Sequence, residues 1–265
     1  MNVITLAKKY AALLDETYRE NAKTAVLESD PALAREGANA NELVIPKLTM
    51  DGLANYSRNS GYVSGDVSLT WETVRFSYER GRMFSVDAMD NEESQSIAFG
   101  ALAGEFVRTK AVPELDAFRF AAIAGTDGIS KAEGKLETGE AAAAAIRKAV
   151  SAMDAAEVPS EDRVLFITPV LKGMIDDMDT TKSRAVMASF AAVVVVPQSR
   201  FYSAVKLADG VTGGEESGGY SKAVGAKNIN FMIVHKPAVI QFTKHALPKI
   251  INPANNPDAD SWKYG

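Results

Sequence analysis

The sequence contains no cysteine and only two histidines, His235 and His245, among its 265 residues. The lack of cysteine excludes disulfides, cysteine-ligated zinc and iron–sulfur clusters. Pro237 separates the two histidines, so we do not expect one uninterrupted strand to place both on one face. We therefore expect ordinary structural histidines, not a metal or catalytic pair. The GxSxG motif of serine hydrolases and the HExxH motif of zinc proteases are also missing.

Positive charge is in slight deficit, because 29 lysines and arginines stand against 34 aspartates and glutamates, a net charge of −5. This balance argues against a broad, sequence-independent grip on nucleic acid. Long hydrophobic runs are missing too, since the longest, at 185–196, falls short of the roughly 20 residues that a bilayer requires. The N-terminal segment is acidic where a signal peptide would stay apolar. We expect no membrane partner and a protein made in the cytoplasm.

The apolar pattern predicts a mixed α+β chain. The predicted helices have amphipathic spacing or strong helix formers and cover residues 2–28, 90–124, 140–158 and 170–178. The predicted strands cover residues 43–50, 67–87, 163–169, 191–197 and 228–245, the last divided near Pro237. Pro46 suggests an edge position or a bend for the first strand. Pro113 predicts a kink in one long helix or a break between two.

The segment 67–87, VSLTWETVRFSYERGRMFSVD, alternates apolar and polar residues but changes phase. Its apolar residues fall first on odd and then on even positions: Val67, Leu69 and Trp71, followed by Val74, Phe76 and Tyr78. A single flat strand cannot place both sets on one face. We therefore expect a bulge or sharp twist near Glu72–Thr73, which would present apolar side chains to two different surfaces.

Two loops and one acidic cluster are further candidates for chemistry. The loop GISKAEGKLE (128–137) lacks the spacing of a phosphate-binding loop, and GGEESGG (213–219) places two carboxylates where phosphate would be repelled. Asp176, Asp177 and Asp179 lie at a predicted helix end, without the ligand spacing of a calcium loop. A metal-assisted hydrolase that uses these acids stays open as one alternative function.

Two long stretches of the sequence resemble the major capsid proteins of tailed bacteriophages, the shell proteins of the Hong Kong 97 type. These are GYVSGDVSLTWETVRFSYERGRMFSVDAMDNEE (61–93) and FVRTKAVPELDAFRFAAIA (106–124). Further segments match in order: LAKKYAALLDE near the start, RVLFITP (163–169), VVVVPQSRFY (193–202) and INFMIVHKPAVIQFTKH (229–245). The resemblance covers nearly the whole chain and rests on the ordered set, not on one motif.

The resemblance implies an α+β fold of the Hong Kong 97 type with four parts. Residues 1–50 would form an N-terminal arm, and residues 51–88 an extended loop in the form of a long β hairpin. A peripheral domain with a spine helix would comprise residues 89–137 and 231–265. An axial domain with a mixed sheet and helices would comprise residues 138–230.

The resemblance also implies a structural protein with no enzymatic activity and no cofactor or metal. Copies would assemble as hexamers and pentamers into an icosahedral shell, in the cytoplasm of the host bacterium, and would remain in the virion capsid. The shell would enclose double-stranded DNA without sequence-specific contact, with scaffold, portal and decoration proteins as further partners. An encapsulin-like bacterial compartment shell is a second alternative, against which the predicted helical arm before residue 50 argues.

The extended loop supplies the predicted contacts between subunits. Arginine offers planar, bidentate pairing at interfaces, and aromatic side chains offer contact area. The predicted contact residues are Trp71, Arg75, Phe76, Tyr78, Arg80, Arg82, Phe84 and Asp87. Some shells of this type are cross-linked through a lysine of the extended loop. Since no lysine lies between Lys47 and Lys110, we predict no such isopeptide bond.

Overall fold

The computed structural model describes residues 21–30, 35–36, 42–87, 104–242, 250–251, 255–257 and 261–264. Residues 2–20 of the helix predicted over 2–28 lie outside the described residues, and so does the predicted helix start at Asp90. The chain forms two compact units: the hairpin unit, Ser29–Arg82, and the body, which comprises Met1–Glu28 and Met83–Gly265. The α+β class is confirmed.

The hairpin unit is built on one antiparallel sheet. Its strands, in the order β1-β2-β3, are β1 (Arg35–Glu36), β2 (Glu42–Met50) and β3 (Val67–Arg75). The pairing of β2 with β3 runs without interruption from Glu42 opposite Arg75 to Met50 opposite Val67. The bulge predicted near Glu72–Thr73 is therefore wrong, because each of these residues has a single partner in β2.

Pro46 lies at an edge of this sheet, as its missing N–H predicts. Among the described residues, β1 pairs only with Leu43 and Val44, so in that part of the chain β3 is the single neighbour of β2 from residue 45 onward. The Asp51 N–H donates to the Asp66 carbonyl (3.1 Å), so the ladder continues past the end of β2. Because hydrogen-bonded and non-hydrogen-bonded pairs alternate along an antiparallel ladder, the odd-numbered residues of β2 lie in hydrogen-bonded pairs. Pro46 and its partner Trp71 thus form a non-hydrogen-bonded pair, and the ladder to β3 loses no bond.

The body is organised around a second sheet, in the order β6-β5-β9. Its strands are β5 (Arg163–Ile167), β6 (Ala192–Val195) and β9 (Phe231–His235). β5 is parallel to β6 and antiparallel to β9, and all five of its residues are buried. Val164 and Phe166 belong to one core cluster, whereas Leu165 and Ile167 belong to another, so both faces of the sheet are covered.

Helices cover the two faces of this sheet. The helices, in chain order, are α1 (Val112–Gly125), α2 (Gly139–Ala155), α3 (Pro169–Asp176) and α4 (Thr181–Ala188). On one face, Phe120 of α1 contacts Phe166 edge-on, with ring centroids 5.1 Å apart. On the other face, Ile146 of α2, Leu171 of α3 and Val186 of α4 share a cluster with Leu165. The result is a three-layered core with β5 at its centre.

Pro113 does not break the helix that contains it. It occupies one of the first two positions of α1, and a π-helical segment, Val107–Ala111, precedes it directly. Proline lacks the N–H that an α-helix needs at an interior position, and the wider π-helical turn accommodates that loss. The sequence correctly predicts a disturbance at this proline, and the structure shows its form.

α2 begins with a close contact to α3. The Thr138 hydroxyl caps the helix by accepting the N–H of Ala141 (3.2 Å). A β-carbon placed on Gly139, the first helical residue, would lie 2.2 Å from the Met174 carbonyl oxygen. Only glycine allows the two backbones to approach this closely.

The remaining strands form two small sheets in the body. β7 (Val205–Leu207) and β8 (Tyr220–Lys222) form a hairpin, and β4 (Phe84–Asp87) pairs with β11 (Ser261–Tyr264), which pairs with β10 (Ile250–Ile251). The second strand predicted after Pro237 is not seen in the described residues: Lys236–Ala238 is a 3₁₀ turn, residues 239–242 are irregular, and residues 243–249 lie outside them.

The predicted peripheral and axial domains share one core in the described residues. β9, assigned to the peripheral domain, pairs with β5, assigned to the axial domain. Phe120 of the predicted spine helix packs against Phe166 and Phe201 of the predicted axial domain. The division of the chain at residues 138 and 230 stays a prediction.

Candidate functional site

The candidate functional site is the exposed apolar surface of the hairpin unit. The described part of the chain has 17 exposed large hydrophobic side chains, and ten of them lie between Leu48 and Val74. Scattered exposed hydrophobic residues are normal, but a concentration in one element marks an interaction surface.

The register of β2 and β3 collects five of these ten side chains on one face. Three opposed pairs, all at non-hydrogen-bonded positions where side chains approach most closely, form the apolar face: Pro46 with Trp71, Leu48 with Leu69, and Met50 with Val67. The opposite side, the polar face, carries Lys47, Thr49, Ser68, Thr70 and Glu72, the last of which lies opposite Ile45. On it, the Lys47 ammonium lies 3.9 Å from the Glu72 carboxylate.

The phase change in the sequence follows from this arrangement. Val74 lies opposite Leu43, on the side of the sheet that the polar face occupies further along the hairpin. On the side of the apolar face, the last pair at the base of the hairpin is Glu42 with Arg75, whose charged groups are 3.4 Å apart. Apolar character thus changes sides at the base of the hairpin, and a regular strand accommodates both phases because all nine residues of β3 are exposed.

The loop between β2 and β3 carries two more aromatic side chains. Ser57 and Gly61 form an isolated antiparallel bridge, which Gly61 closes with a φ of +79° that favours glycine. On either side of this turn, the rings of Tyr56 and Tyr62 lie 4.9 Å apart and are tilted by 49°. Tyr62 keeps 89% of its surface exposed. The distal end of the hairpin is therefore also rich in contact area for a partner.

The eight predicted contact residues do not fall on one surface element. Trp71 and Arg75 lie in β3. Four others lie in the irregular segment that follows β3: Phe76, Tyr78, Arg80 and Arg82. Phe84 and Asp87 belong to β4 in the body, where the Phe84 ring contacts Phe106 edge-on at 4.8 Å. The role of the eight residues in subunit contacts stays a prediction.

Sequence reasoning missed the contribution of β2 to this surface. Val44, Pro46, Leu48 and Met50 occupy successive even positions, which is the signal of a one-sided apolar strand. The observed hairpin also begins at Glu42 and not at residue 51, so Lys47 lies within it. The premise that the extended loop lacks a lysine therefore does not apply to the observed hairpin, and the predicted absence of an isopeptide bond loses that support.

Two of the three acids at the end of α3 have basic partners. Lys172 pairs with Asp176 at 2.5 Å, and Arg184 pairs with Asp179. Among the described residues, no three histidine, aspartate or glutamate side chains are grouped so that they could hold a metal ion. His235 lies in β9, and His245 falls outside the described residues. Nothing in this arrangement favours a metal-assisted hydrolase.

The carboxylates of the loop between β7 and β8 are also engaged locally. The Thr212 hydroxyl and the Thr212 and Val211 N–H groups donate to Asp209 and lower its pKa to about 2. Glu215 pairs with Lys206, whose hydrogen bond lowers the pKa of that carboxyl. These acids stabilise the local conformation of the loop, and they present negative charge to any approaching phosphate.

Comparison with known proteins gives one structural likeness. No family model matches the chain, and no curated protein is significantly similar to it in sequence. A solved chain from Mycobacterium phage Che8 is 13% identical, with a TM-score of 0.45, over 85% of this chain and 78% of that chain. A likeness of this degree establishes neither a shared fold nor a shared function. In the described residues, no helix is both long and apolar enough to cross a bilayer.

Proposed function

We propose that this protein is the major capsid protein of a tailed bacteriophage and assembles into an icosahedral shell around double-stranded DNA. The observation that carries the proposal is the apolar face of the hairpin unit, formed by Pro46, Leu48, Met50, Val67, Leu69 and Trp71. Such a face favours a covering partner, because β1 pairs with only two residues of β2 and an isolated two-stranded hairpin is marginally stable in water. The sequence resemblance supports another copy of the chain as that partner.

The composition of the hairpin unit suits a protein interface. Apolar and aromatic side chains supply the central contact area, and Trp71 is the largest of them on the apolar face. Arg80 and Arg82, both exposed, supply bidentate donors near it in sequence. A shell repeats this contact in every subunit, so interfaces of modest individual strength give a stable particle.

Hexamers and pentamers of the chain form the shell, scaffold, portal and decoration proteins associate with it, and DNA is enclosed without sequence-specific contact. The net charge of −5 is compatible with a container that does not adhere to its contents. The protein acts mechanically, has no catalytic role, and resides in the virion after assembly in the host cytoplasm.

Electron microscopy and analytical ultracentrifugation of the purified protein test this proposal. We expect closed particles or capsomer rings from the unmodified chain. Trp71→Ala and Arg80→Ala should leave the subunit folded, and loss of a central aromatic contact worth about 2 kcal/mol should raise the concentration needed for assembly roughly thirtyfold.

Thr70→Ala provides the matched control, since Thr70 lies next to Trp71 in β3 but on the polar face. Its particles should form normally. A chain that stays monomeric at high concentration would contradict the proposal. So would normal assembly of both the Trp71 and the Arg80 variant.

A further inference from the structure

A buried carboxylate in the body holds a segment of chain that is distant in sequence. Asp116 of α1 is fully buried and accepts hydrogen bonds at both oxygens. Its Oδ1 accepts the N–H and the hydroxyl of Thr24, at 3.0 and 2.7 Å. Its Oδ2 accepts the N–H of Lys23 at 2.9 Å and the Arg200 guanidinium at 3.2 Å. The cost of burying the charge is offset by these four donors.

The segment that Asp116 holds is a short 3₁₀ helix, Lys23–Leu27, which we term the strap. The Thr24 hydroxyl donates to Asp116 and accepts from the Arg119 guanidinium at 3.1 Å. The Thr24 carbonyl accepts from the Gln241 amide at 2.9 Å. Thr24 is thus held at its N–H, its hydroxyl and its carbonyl, and it is fully buried.

The strap also takes part in only one of the two large core clusters. Leu27 is fully buried in the cluster that contains Phe120 and Phe166. The cluster on the other face of β5, around Ile146 and Leu165, contains no strap residue. Most of the remaining core can therefore keep its packing if the strap detaches, which makes the strap a candidate for local opening.

The position of the strap connects it to the hairpin unit. The body includes the chain up to Glu28, and the hairpin unit begins at Ser29, two residues after Leu27. The other connection between the two units lies at Arg82 and Met83. The strap is therefore the point at which one of the two connections to the hairpin unit is fixed to the body.

We propose that Asp116 acts as a latch for the strap, and that the latched strap makes the hairpin unit competent to assemble. The second half of this inference rests on the proposed function. Asp116 is a positioning residue, since it acts on the hairpin unit through the strap. Release of the strap would free one connection of the hairpin unit without unfolding the body.

The latch requires a carboxylate, because every partner of Asp116 is a donor. An asparagine has one acceptor oxygen and one NH₂ group. In Asp116→Asn the NH₂ group would therefore oppose the donors of Thr24 in one orientation, and the donors of Lys23 and Arg200 in the other. Thr24→Val removes the hydroxyl but keeps the shape of the side chain. Thr24→Ser keeps the hydroxyl and is the conservative control.

Hydrogen exchange of the full-length subunit, below the concentration at which particles form, measures the latch directly. In Asp116→Asn and Thr24→Val, amides of residues 23–28 should exchange about 10- to 100-fold faster, while amides of β5 keep their protection relative to the unmodified chain. Thr24→Ser should preserve strap protection. Ile146→Val, in the cluster that lacks the strap, is the control for general destabilisation and should leave the strap latched.

Particle formation by the same variants then tests the link to assembly. We expect Asp116→Asn and Thr24→Val to assemble poorly, and Thr24→Ser and Ile146→Val to assemble normally. Unchanged strap exchange in Asp116→Asn would overturn the latch, as would equal acceleration of the strap and of β5. Fast strap exchange with normal particles would overturn the link to assembly. If the unmodified chain forms no particles, the proposed function fails, and the exchange data still decide whether Asp116 latches the strap.

Discussion

Two strands of this protein, β3 in the hairpin unit and β5 in the body, each carry four large apolar side chains and have opposite surroundings. All nine residues of β3 are exposed, and all five residues of β5 are buried. Leu69 in β3 keeps 57% of its surface exposed, whereas Leu165 in β5 keeps none. An apolar strand pattern therefore predicts that a strand forms, but it does not say which surface will cover it.

The difference comes from the neighbours of each strand. β5 has a paired strand on both edges and helices on both faces, so each of its side chains finds contacts within the body. β3 lies at the edge of its sheet, and among the described residues of the hairpin unit no second layer covers it. The body is stabilised by its own packing, whereas the hairpin unit leaves apolar area exposed.

The same substitution in both strands gives the sharpest test of this difference, and the larger effect belongs to the body. Leu165→Ala should lower the free energy of unfolding by about 2–5 kcal/mol, because it leaves a cavity between β5 and the helices on that face. Chemical denaturation followed by circular dichroism measures this loss. A loss below about 1 kcal/mol would mean that the body repacks easily around the cavity.

The contact between α2 and α3 should give an intermediate effect. Gly139→Ala would place a methyl group 2.2 Å from the Met174 carbonyl, so the two helices must separate. We expect a destabilisation of about 1–3 kcal/mol, measured by thermal unfolding. Gly173→Ala is a suitable control, since a β-carbon on Gly173 of α3 meets no atom within 4 Å. Equal melting temperatures for the two variants would contradict the close approach.

Leu69→Ala should give the smallest effect on the isolated subunit. Its exposed side chain loses little on truncation, so the free energy of unfolding should change by about 0.5 kcal/mol or less. Denaturation under the conditions used for Leu165→Ala makes the two values comparable. A loss as large as that of Leu165→Ala would show that the subunit itself covers the apolar face.

Local sequence signals predict the elements of the body well. β5 is a short apolar run bounded by a turn and a proline, and α2 combines an alanine-rich sequence with a threonine cap. The sequence also predicts the hairpin strands, but its phase change in 67–87 indicates a bulge that the structure does not have. Resolving it required the partner strand, because the register with β2 places Val74 opposite Leu43 on the second face.

The end of β3 and the latch depend on residues distant in sequence. The alternating pattern continues past Arg75, but the strand stops there because its pairing with β2 ends at Glu42. Because the alternation continues beyond β3, the predicted contact residues extend to Phe84 and Asp87 of β4. Asp116 similarly looks like an ordinary polar residue in the helical segment ELDAFRF. Its burial depends on Thr24, 92 residues earlier, which no local pattern indicates.

Pro46 bears on how the chain avoids indiscriminate aggregation. Beyond Val44 the outer side of β2 has no paired strand among the described residues, and such borders can recruit foreign strands into growing fibrils. Since the ladder turns the Pro46 nitrogen outward, an incoming strand would find one donor missing near the start of that border. The same residue contributes its ring to the apolar face beside Trp71. One proline therefore adds apolar area to the face of the hairpin and removes a hydrogen-bond donor from its open edge.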